Sequence, residues 1–126
     1  MRAHRTGIAV DRATVLTRAV AEVARRLQIG PSLIGRIVGV SQPTASRLLS
    51  GAYWLKDTHK EWELAAHLVR VYRSLFALVG GDEALAREWL RAPNRAFAGD
   101  APINLLSRVD GLLRVGEYLD AHRSRV

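Results

Sequence analysis

Residues 31–50, which read PSLIGRIVGVSQPTASRLLS, place apolar residues and glycines at the spacing of two short helices joined by a tight turn. The residues at positions that pack between two such helices are all apolar: Ile34, Val38, Val40, Ala45 and Leu48. Gly35 permits a close backbone approach, and Gly39 permits the positive φ that a tight turn requires. Ser41 is expected to cap the second helix, with Pro43 in its first turn and Gly51 after its end. The stretch therefore predicts a helix-turn-helix.

The second of these helices carries polar side chains on its outward side. They are Ser41, Gln42, Thr44, Ser46, Arg47 and Ser50. Hydroxyl groups suit phosphate contacts, whereas glutamine and arginine can form paired hydrogen bonds with adenine and guanine edges. We therefore expect this helix to bind DNA in the major groove. The alternative is a three-helix packing module without DNA-binding activity, since the motif alone does not establish function.

The composition is that of a globular protein with a basic N-terminal half. The chain has 126 residues, enough for one domain or two small domains in close contact, and it lacks cysteine, so it has no disulfide or thiolate metal site. Residues 1–58 contain nine Arg or Lys and three acids, whereas residues 59–126 contain ten and nine. Most of the net charge of +7 thus accompanies the helix-turn-helix, as attraction to phosphate requires. No apolar run suggests a signal peptide or a membrane span, so we expect a cytoplasmic protein.

The residues before the motif are expected to form a basic arm over residues 1–10 and then a helix from Asp11, as N-cap, to about Leu27. Its inward face would carry Leu16, Ala19, Val20, Val23, Ala24 and Leu27. Four arginines occupy its other sides: Arg12, Arg18, Arg25 and Arg26. These arginines form either a solvated face or additional phosphate contacts beside the recognition helix, and the sequence leaves both interpretations open.

A long helix is predicted after the link that contains Tyr53 and Trp54. We expect these two aromatic residues to pack between modules, and the alternative is that they stack on a base. The T-x-x-E pattern of Thr58 and Glu61 predicts a capping box at its start, and Gly80 with the following glycine predicts its end. Its apolar arc is too wide to be covered from one side. We therefore expect a central helix, covered by the helix-turn-helix on one flank and by the C-terminal half or a second subunit on another.

The C-terminal third is expected to contain a short helix, a loop, another helix with Pro102 in its first turn, and a last helix. Asp82 should cap a short helix with Leu85, Ala86 and Trp89 facing inward, and a break follows at Pro93. The last helix should run from about residue 110 to residue 121 and bury three apolar residues, Leu112, Val115 and Leu119. The polar tail, residues 122–126, follows it.

Candidate catalytic and metal-binding residues are few. His59, Glu63 and His67 share one face of the long helix, but we interpret this face as solvated and predict no metal site. The sequence has no Ser/His/Asp spacing, no glycine-rich phosphate loop and no acid pair in an apolar setting. We therefore expect no enzymatic activity and no cofactor.

Residues 89–119 resemble the C-terminal toxin-binding domain of the Xre/MbcA/ParS antitoxins. That family has a W-L-x-x-P-N-x-x-[LF]-x-G-x-x-P motif, followed by two leucines, a glycine and a V-x-x-x-L helix, and it places a helix-turn-helix before this domain. The matching residues are Trp89, Leu90, Pro93, Asn94, Phe97, Gly99, Pro102, Leu105, Leu106, Gly111, Val115 and Leu119.

The resemblance implies a partner and a mode of action. The partner would be a RES-domain toxin, usually encoded by the adjacent gene, that degrades NAD⁺ by phosphorolysis or hydrolysis. The C-terminal end of the antitoxin would plug its NAD⁺ pocket, and the helix-turn-helix would repress the operon. The toxin-binding residues implied are Trp89, Asn94, Phe97, Gly99, Pro102, His122, Arg123, Ser124, Arg125 and Val126. The alternative for the motif residues is an internal role, as a packed corner in which Asn94 satisfies loop backbone groups.

These observations together predict an all-α antitoxin. We expect a helix-turn-helix DNA-binding region over residues 1–57, a central helix over residues 58–81 and a toxin-binding domain over residues 82–126. The expected partners are the RES-domain toxin, operator DNA and a second copy of the chain, since a DNA reader of two half-sites suits a homodimer. The alternative function is a helix-turn-helix transcriptional regulator without a toxin partner.

Overall fold

The computed structural model describes the backbone of residues 2–123 and the side chains of residues 12–123. This part of the chain is all-α, as predicted, with six helices and two short 3₁₀ turns. The helices are α1 (Arg2–Leu27), α2 (Pro31–Val38), α3 (Gln42–Leu49), α4 (Lys60–Leu78), α5 (Glu83–Arg91) and α6 (Val109–Arg123). The 3₁₀ turns, Arg95–Phe97 and Pro102–Leu105, lie between α5 and α6. None of the helices in this described part is long and apolar enough to cross a membrane.

Helix α1 begins before its predicted start. Because it already includes Arg2, the predicted arm over residues 1–10 is wrong and Asp11 is not an N-cap. The stretch has no proline and only one glycine before residue 28, so little in its backbone chemistry would stop a helix. The predicted inward face is confirmed, with four fully buried residues, Val20, Val23, Ala24 and Leu27, and with Leu16 and Ala19 packed against the core.

Helices α2 and α3 form the predicted helix-turn-helix. Gly39 ends α2 with a φ of 88°, and its N–H donates to the Gly35 carbonyl at 2.8 Å. A Cβ added at Gly35 would lie 2.8 Å from the Val40 carbonyl oxygen, so the close approach predicted there is made by the turn. Ser41 caps α3 by accepting a hydrogen bond from the Thr44 N–H at 3.2 Å. The predicted inter-helix residues Ile34, Val38, Ala45 and Leu48 are buried, and Val40 is partly buried.

The capping box predicted at the start of α4 is wrong. The N-cap residue is His59, which makes no capping hydrogen bond with its side chain. The Glu61 carboxylate instead accepts hydrogen bonds from the Tyr53 hydroxyl at 2.7 Å and from the Lys56 N–H at 3.1 Å. Glu61 therefore holds the preceding link against α4, and this tertiary contact replaces the local capping geometry.

The link before α4 packs only in part, contrary to expectation. Tyr53 is half-buried, but Trp54 remains 45% exposed, so its predicted packing between modules is wrong. The buried anchor is Leu55, whose N–H donates to the Thr17 hydroxyl of α1 at 3.0 Å. A backbone group and one leucine thus attach this link to α1.

Helix α4 is the central helix that the sequence predicts. It contacts α1 and α2 on one side and α5 and α6 on the other. Its two apolar stripes both reach the core. The first buries Leu64, Leu68, Val71 and Leu75, and the second buries Ala65 and Val69 but leaves Trp62 and Tyr72 only partly buried. The helix ends at Leu78, and the next two glycines both adopt positive φ angles. Elements of the same chain therefore cover the wide apolar arc.

The C-terminal helices agree with prediction except at one position. Asp82 caps α5 by accepting from the Leu85 N–H at 3.2 Å. The Leu85 side chain is 46% exposed, so its predicted inward position is wrong, and Leu90 takes its place beside Ala86, one helical turn away. Helix α6 buries the three predicted residues, Leu112, Val115 and Leu119.

Candidate functional site

The outward face of α3 presents the predicted DNA-binding residues together. Among them, Ser41, Gln42, Ser46, Arg47 and Ser50 are exposed, and Thr44 is half-exposed. The opposite face of the helix is anchored, because Ala45 and Leu48 are fully buried. A helix held in this way offers a single polar surface to a ligand, as a recognition helix requires.

Hydrogen bonds order part of this face. The Thr44 hydroxyl oxygen accepts from the Ser41 hydroxyl and from the Arg47 guanidinium, each at 3.0 Å. The Ser50 hydroxyl donates to the Arg47 carbonyl at 3.1 Å. Arg47 therefore lies along the helix surface with its charge still exposed. Hydrogen bonds to a phosphate or a base edge can replace these contacts at little cost in free energy, because solvent-exposed hydrogen bonds are readily exchanged.

The arginines of α1 separate into two groups. Arg18 and Arg25 line an open depression together with Ser50, at the C-terminal end of α3. Arg12 instead lies over the Trp62 ring, 5.4 Å from its centroid. Arg26 forms ion pairs with Glu22 and Glu83 and is partly buried. Arg25 also forms an ion pair with Glu22, although its side chain remains exposed. Of the two interpretations left open by the sequence, phosphate contact beside α3 therefore suits Arg18 by its position, and it suits Arg25 only if a phosphate replaces Glu22.

Three arginine contacts join α1 to α5. Besides the Arg26–Glu83 pair, the Arg87 guanidinium donates to the Arg26 carbonyl at 3.1 Å, and that of Arg91 donates to the Gln28 carbonyl at 2.9 Å. Carbonyl groups at the end of a helix lack partners within the helix and carry partial negative charge. The two α5 arginines supply those partners, so the C-terminal half is attached directly to the helix that precedes the helix-turn-helix.

The loop after α5 is organised around Asn94. Its side-chain oxygen accepts from the Ala96 N–H at 2.9 Å, and its carbonyl accepts from the N–H groups of Phe97 and Gly99 at 3.0 and 2.9 Å. Gly99 has a φ of 89°, which disfavours any residue with a side chain. Asn94 thus has the internal role described by the alternative interpretation of the motif.

The aromatic residues of the motif pack against α6. Phe97 is only 3% exposed, and its ring lies edge-on to Trp89 at 6.4 Å and to Tyr118 at 5.3 Å. Pro102 is also buried, whereas Trp89 is half-buried. Buried side chains can influence a partner only through the shape of the surface they support. Toxin contact by these residues stays a prediction, and for Phe97 and Pro102 it would be indirect.

The end of α6 contains the first two residues of the predicted tail. His122 stacks on Tyr118 with ring centroids 3.9 Å apart, and Arg123 ends the helix with its side chain exposed. The predicted toxin contacts of Ser124, Arg125 and Val126 lie outside the described residues.

The imidazole and carboxylate face of α4 does not form a cluster. His59 shares a hydrogen bond with the Thr58 hydroxyl at 3.0 Å, and Glu63 is exposed. Among residues whose side chains are described, no group of three His, Cys, Asp or Glu residues could hold a metal ion.

The comparison with known families agrees with both halves of this architecture. A model described as the antitoxin Xre-like helix-turn-helix domain matches residues 7–70, half of the chain. The chain belongs to the Xre-like antitoxin family. A second model, the antitoxin Xre/MbcA/ParS C-terminal toxin-binding domain, matches residues 74–125 of this antitoxin. The resemblance found in the motif residues is therefore confirmed.

A solved structure shares the fold of the antitoxin. A chain of the M. tuberculosis MbcT–MbcA toxin–antitoxin complex superposes with a TM-score of 0.66 at 23% identity. The superposition covers 89% of this chain and 96% of the other. It confirms the all-α fold with an N-terminal helix-turn-helix and a following helical domain.

The chain is also similar to a protein that is named as a monooxygenase. The 6-hydroxy-3-succinoylpyridine 3-monooxygenase HspA of Pseudomonas putida is 25% identical over 140 aligned residues. The alignment covers 87% of the antitoxin but only 45% of HspA, so the chain spans less than half the length of that enzyme.

The structure adds three residues that sequence reasoning did not select. Tyr118 lies at the centre of the aromatic cluster, and Arg114 of α6 lies 5.4 Å from the Phe97 ring and donates to the Ala96 carbonyl. Asp120 accepts hydrogen bonds from two α4 residues. The four-residue spacing of Tyr118 and His122 is visible in the sequence, but no local pattern reveals the partners of Asp120.

Proposed function

We propose that this antitoxin neutralises a RES-domain, NAD⁺-degrading toxin by direct binding and represses its own operon through the helix-turn-helix. The C-terminal part, residues 82–126, would bind the toxin, with its end blocking the active site. Residues 1–57 would bind the operator, and the central helix would join the two functions. The observation that carries the proposal is the match of one chain to both the antitoxin helix-turn-helix domain and the C-terminal toxin-binding domain of the family.

The DNA-binding half of the proposal is supported by geometry and charge. Arg47 and Gln42 are exposed on a face whose reverse side is buried, and both side chains can bond to purine edges. Arg18 and Arg25 lie beside the end of that helix, where backbone phosphates would pass. The excess positive charge of the first 58 residues strengthens association in a salt-dependent manner.

This half is tested by replacing Arg47 with alanine and measuring affinity for the chain's own promoter. Loss of a base contact should cost roughly 1–3 kcal/mol and relax specificity at one base pair. Arg108→Ala is a matched control, because it removes the same charge from an exposed position in the C-terminal half. Equal operator affinity for the wild type and Arg47→Ala would refute the assignment of α3 as the recognition helix.

The toxin-binding half is supported by the packed loop that presents the end of α6. The motif residues Trp89 and Phe97 contact Tyr118, and α6 ends at Arg123, close to the residues proposed to enter the toxin. The exposed Arg123 guanidinium, at the start of this tail, could donate paired hydrogen bonds to a carboxylate of the toxin.

This half is tested with the purified product of the adjacent gene and NAD⁺ as its substrate. A chain that ends at Arg123 keeps α6 intact and should still form the complex, but it should no longer protect NAD⁺. A chain that ends at Ala121 also lacks His122 and should protect NAD⁺ no better than the chain ending at Arg123. Full protection by the chain ending at Arg123 would refute the role of residues 124–126. Failure of the full-length protein to bind that gene product would favour a transcriptional regulator without a toxin partner.

We further propose that the antitoxin is a homodimer, because two recognition helices one DNA turn apart would read an operator with two half-sites. Light scattering in solution should give a mass near twice the chain's 13.9 kDa. A mass of one chain at micromolar concentration would refute this proposal.

A further inference from the structure

The last turn of α6 is fixed on one side by a stack of aromatic rings. The ring of Tyr118 stacks on Trp89 at 6.1 Å and on His122 at 3.9 Å, and Phe97 meets it edge-on. Trp89 belongs to α5 and Phe97 to the following 3₁₀ turn, so the stack joins three elements. Offset and edge-on ring pairs are the favourable arrangements of aromatic side chains.

His122 is held in one orientation within this stack. Its Nδ1 lies 2.8 Å from the Tyr118 carbonyl oxygen. A carbonyl only accepts hydrogen bonds, so Nδ1 carries the proton and donates it. The same bond keeps the ring over Tyr118 and turns Nε2 away from this carbonyl.

Asp120 fixes the same turn on its other side, against α4. One of its oxygens accepts from the hydroxyl of Ser74, which is 2% exposed, and the other accepts from the Arg70 guanidinium at 2.9 Å. Arg123 lies 3.6 Å from the first oxygen. The Ser74 hydrogen bond, with the nearby charges of Arg70 and Arg123, lowers the pKa of the Asp120 carboxyl, so it is ionised at neutral pH.

We propose that Asp120 and His122 are positioning residues for toxin inhibition, because together they fix the direction in which the chain continues beyond α6. The final turn of a helix lacks hydrogen-bond partners for its last carbonyls and usually frays. Contacts on both sides of this turn prevent fraying, so the residues that follow start from a fixed point. A preorganised segment loses less conformational entropy when it binds.

This inference rests on the proposed function, since it concerns how the tail reaches the toxin. Loss of the Asp120 contacts or of the His122 contacts should leave the affinity for the toxin nearly unchanged, because the rest of the C-terminal part still binds it. This loss should raise the rate of NAD⁺ consumption that remains at saturating antitoxin by about 2- to 10-fold, the factor expected for ordering one or two side chains.

The first experiment uses the full chain alone. Backbone ¹⁵N–{¹H} nuclear Overhauser effects should be as high at residues 119–122 as in the middle of α4, and the His122 ring protons should show upfield shifts from Tyr118. The nuclear Overhauser effects at residues 119–122 should fall in each of three variants: His122→Ala, Asp120→Ala and the distant Ser74→Ala. Alanine favours helix, so any fraying reflects the lost contacts rather than helix propensity. Glu117→Ala is the matched control, because Glu117 is exposed on the same helix. Unchanged effects in all three variants would overturn the inference.

The second experiment measures binding and inhibition separately with the purified product of the adjacent gene. Weaker protection of NAD⁺ at unchanged affinity supports positioning, and His122→Phe, which retains stacking, should restore protection. If a variant has a mobile last turn and still protects NAD⁺ as well as the wild type does, the inference is overturned. Failure of the proposed function is recognised independently, because the full-length wild type would then neither bind the gene product nor protect NAD⁺. Full protection by the chain ending at Arg123 is a different outcome, because it leaves toxin neutralisation intact and refutes the role of residues 124–126. That outcome overturns the positioning role as well, whatever the relaxation data show.

Discussion

Replacement by alanine is expected to change the free energy of unfolding in opposite directions at two glycines of α6. A Cβ added at Gly111 would overlap the carbonyl oxygen of Leu105 and lie 2.9 Å from its carbonyl carbon and its Cβ. These atoms belong to the second 3₁₀ turn and include backbone, which cannot move aside as the end of a flexible side chain can. A Cβ added at Gly116 would meet only the Val71 Cγ2 at 3.6 Å, an ordinary van der Waals distance.

The magnitudes follow from packing and helix propensity. Overpacking of a close contact costs about 1–3 kcal/mol, and the overlap at Gly111 places Gly111→Ala at the upper end of that range. Replacement of glycine by alanine inside a helix gains up to about 1 kcal/mol. We therefore expect Gly111→Ala to lower the free energy of unfolding by about 2 kcal/mol and Gly116→Ala to raise it by roughly 0.5–1 kcal/mol.

Urea unfolding followed by circular dichroism measures both variants against the wild type. The comparison is internal, because both substitutions add one methyl group to the same helix. A stable Gly111→Ala protein with unchanged unfolding free energy would show that α6 does not pack on the second 3₁₀ turn as described. Destabilisation by Gly116→Ala would contradict the ordinary van der Waals distance between an added Cβ and Val71.

Three further effects follow from individual side chains. Ser41→Ala removes the cap of α3 and should lower the free energy of unfolding by about 1 kcal/mol in chemical denaturation, whereas Ser41→Asp should not. Burial and the hydrogen bond to Glu61 raise the pKa of Tyr53 to about 12. Its contribution to stability is thus present below pH 10 and lost as the pH rises through 12, and an absorbance titration should show one late tyrosine that is missing in Tyr53→Phe. The Ser74 hydroxyl is the main cause of the lowered pKa of Asp120. The ionised Asp120 carboxylate therefore contributes to folding stability at neutral pH, and this contribution is lost as the pH falls below about 4. The stability difference between the wild type and Asp120→Ala should therefore shrink in acid, and a constant difference would contradict the ionised state.

Local chemistry made the helix-turn-helix predictable. Its turn needs a glycine with positive φ at position 39, its second helix needs a cap at position 41, and its buried positions recur at helical spacing. Each requirement acts over a few residues, so the sequence displays it directly. The exposed face of α3, and hence the candidate DNA-binding residues, follows from the same periodicity.

Other features were not predictable because they depend on residues outside their own segment. The carboxylate of Glu61 bonds to Tyr53 in the preceding link rather than to its own helix end. The contacts of Asp120 with Ser74 and Arg70 span 46 and 50 residues. No local pattern encodes such pairs, so the positioning of the last turn of α6 could be recognised only in three dimensions.

The central claim is that one chain uses separate surfaces for DNA and for a toxin. The most direct test is the intracellular NAD⁺ level when the adjacent gene product is expressed together with the wild type, Arg47→Ala or the chain ending at Arg123. We expect NAD⁺ to be preserved by the wild type and by Arg47→Ala, and to fall with the shortened chain. Equal loss of NAD⁺ with and without the wild-type chain would contradict the claim, as would loss of protection in Arg47→Ala at normal protein levels.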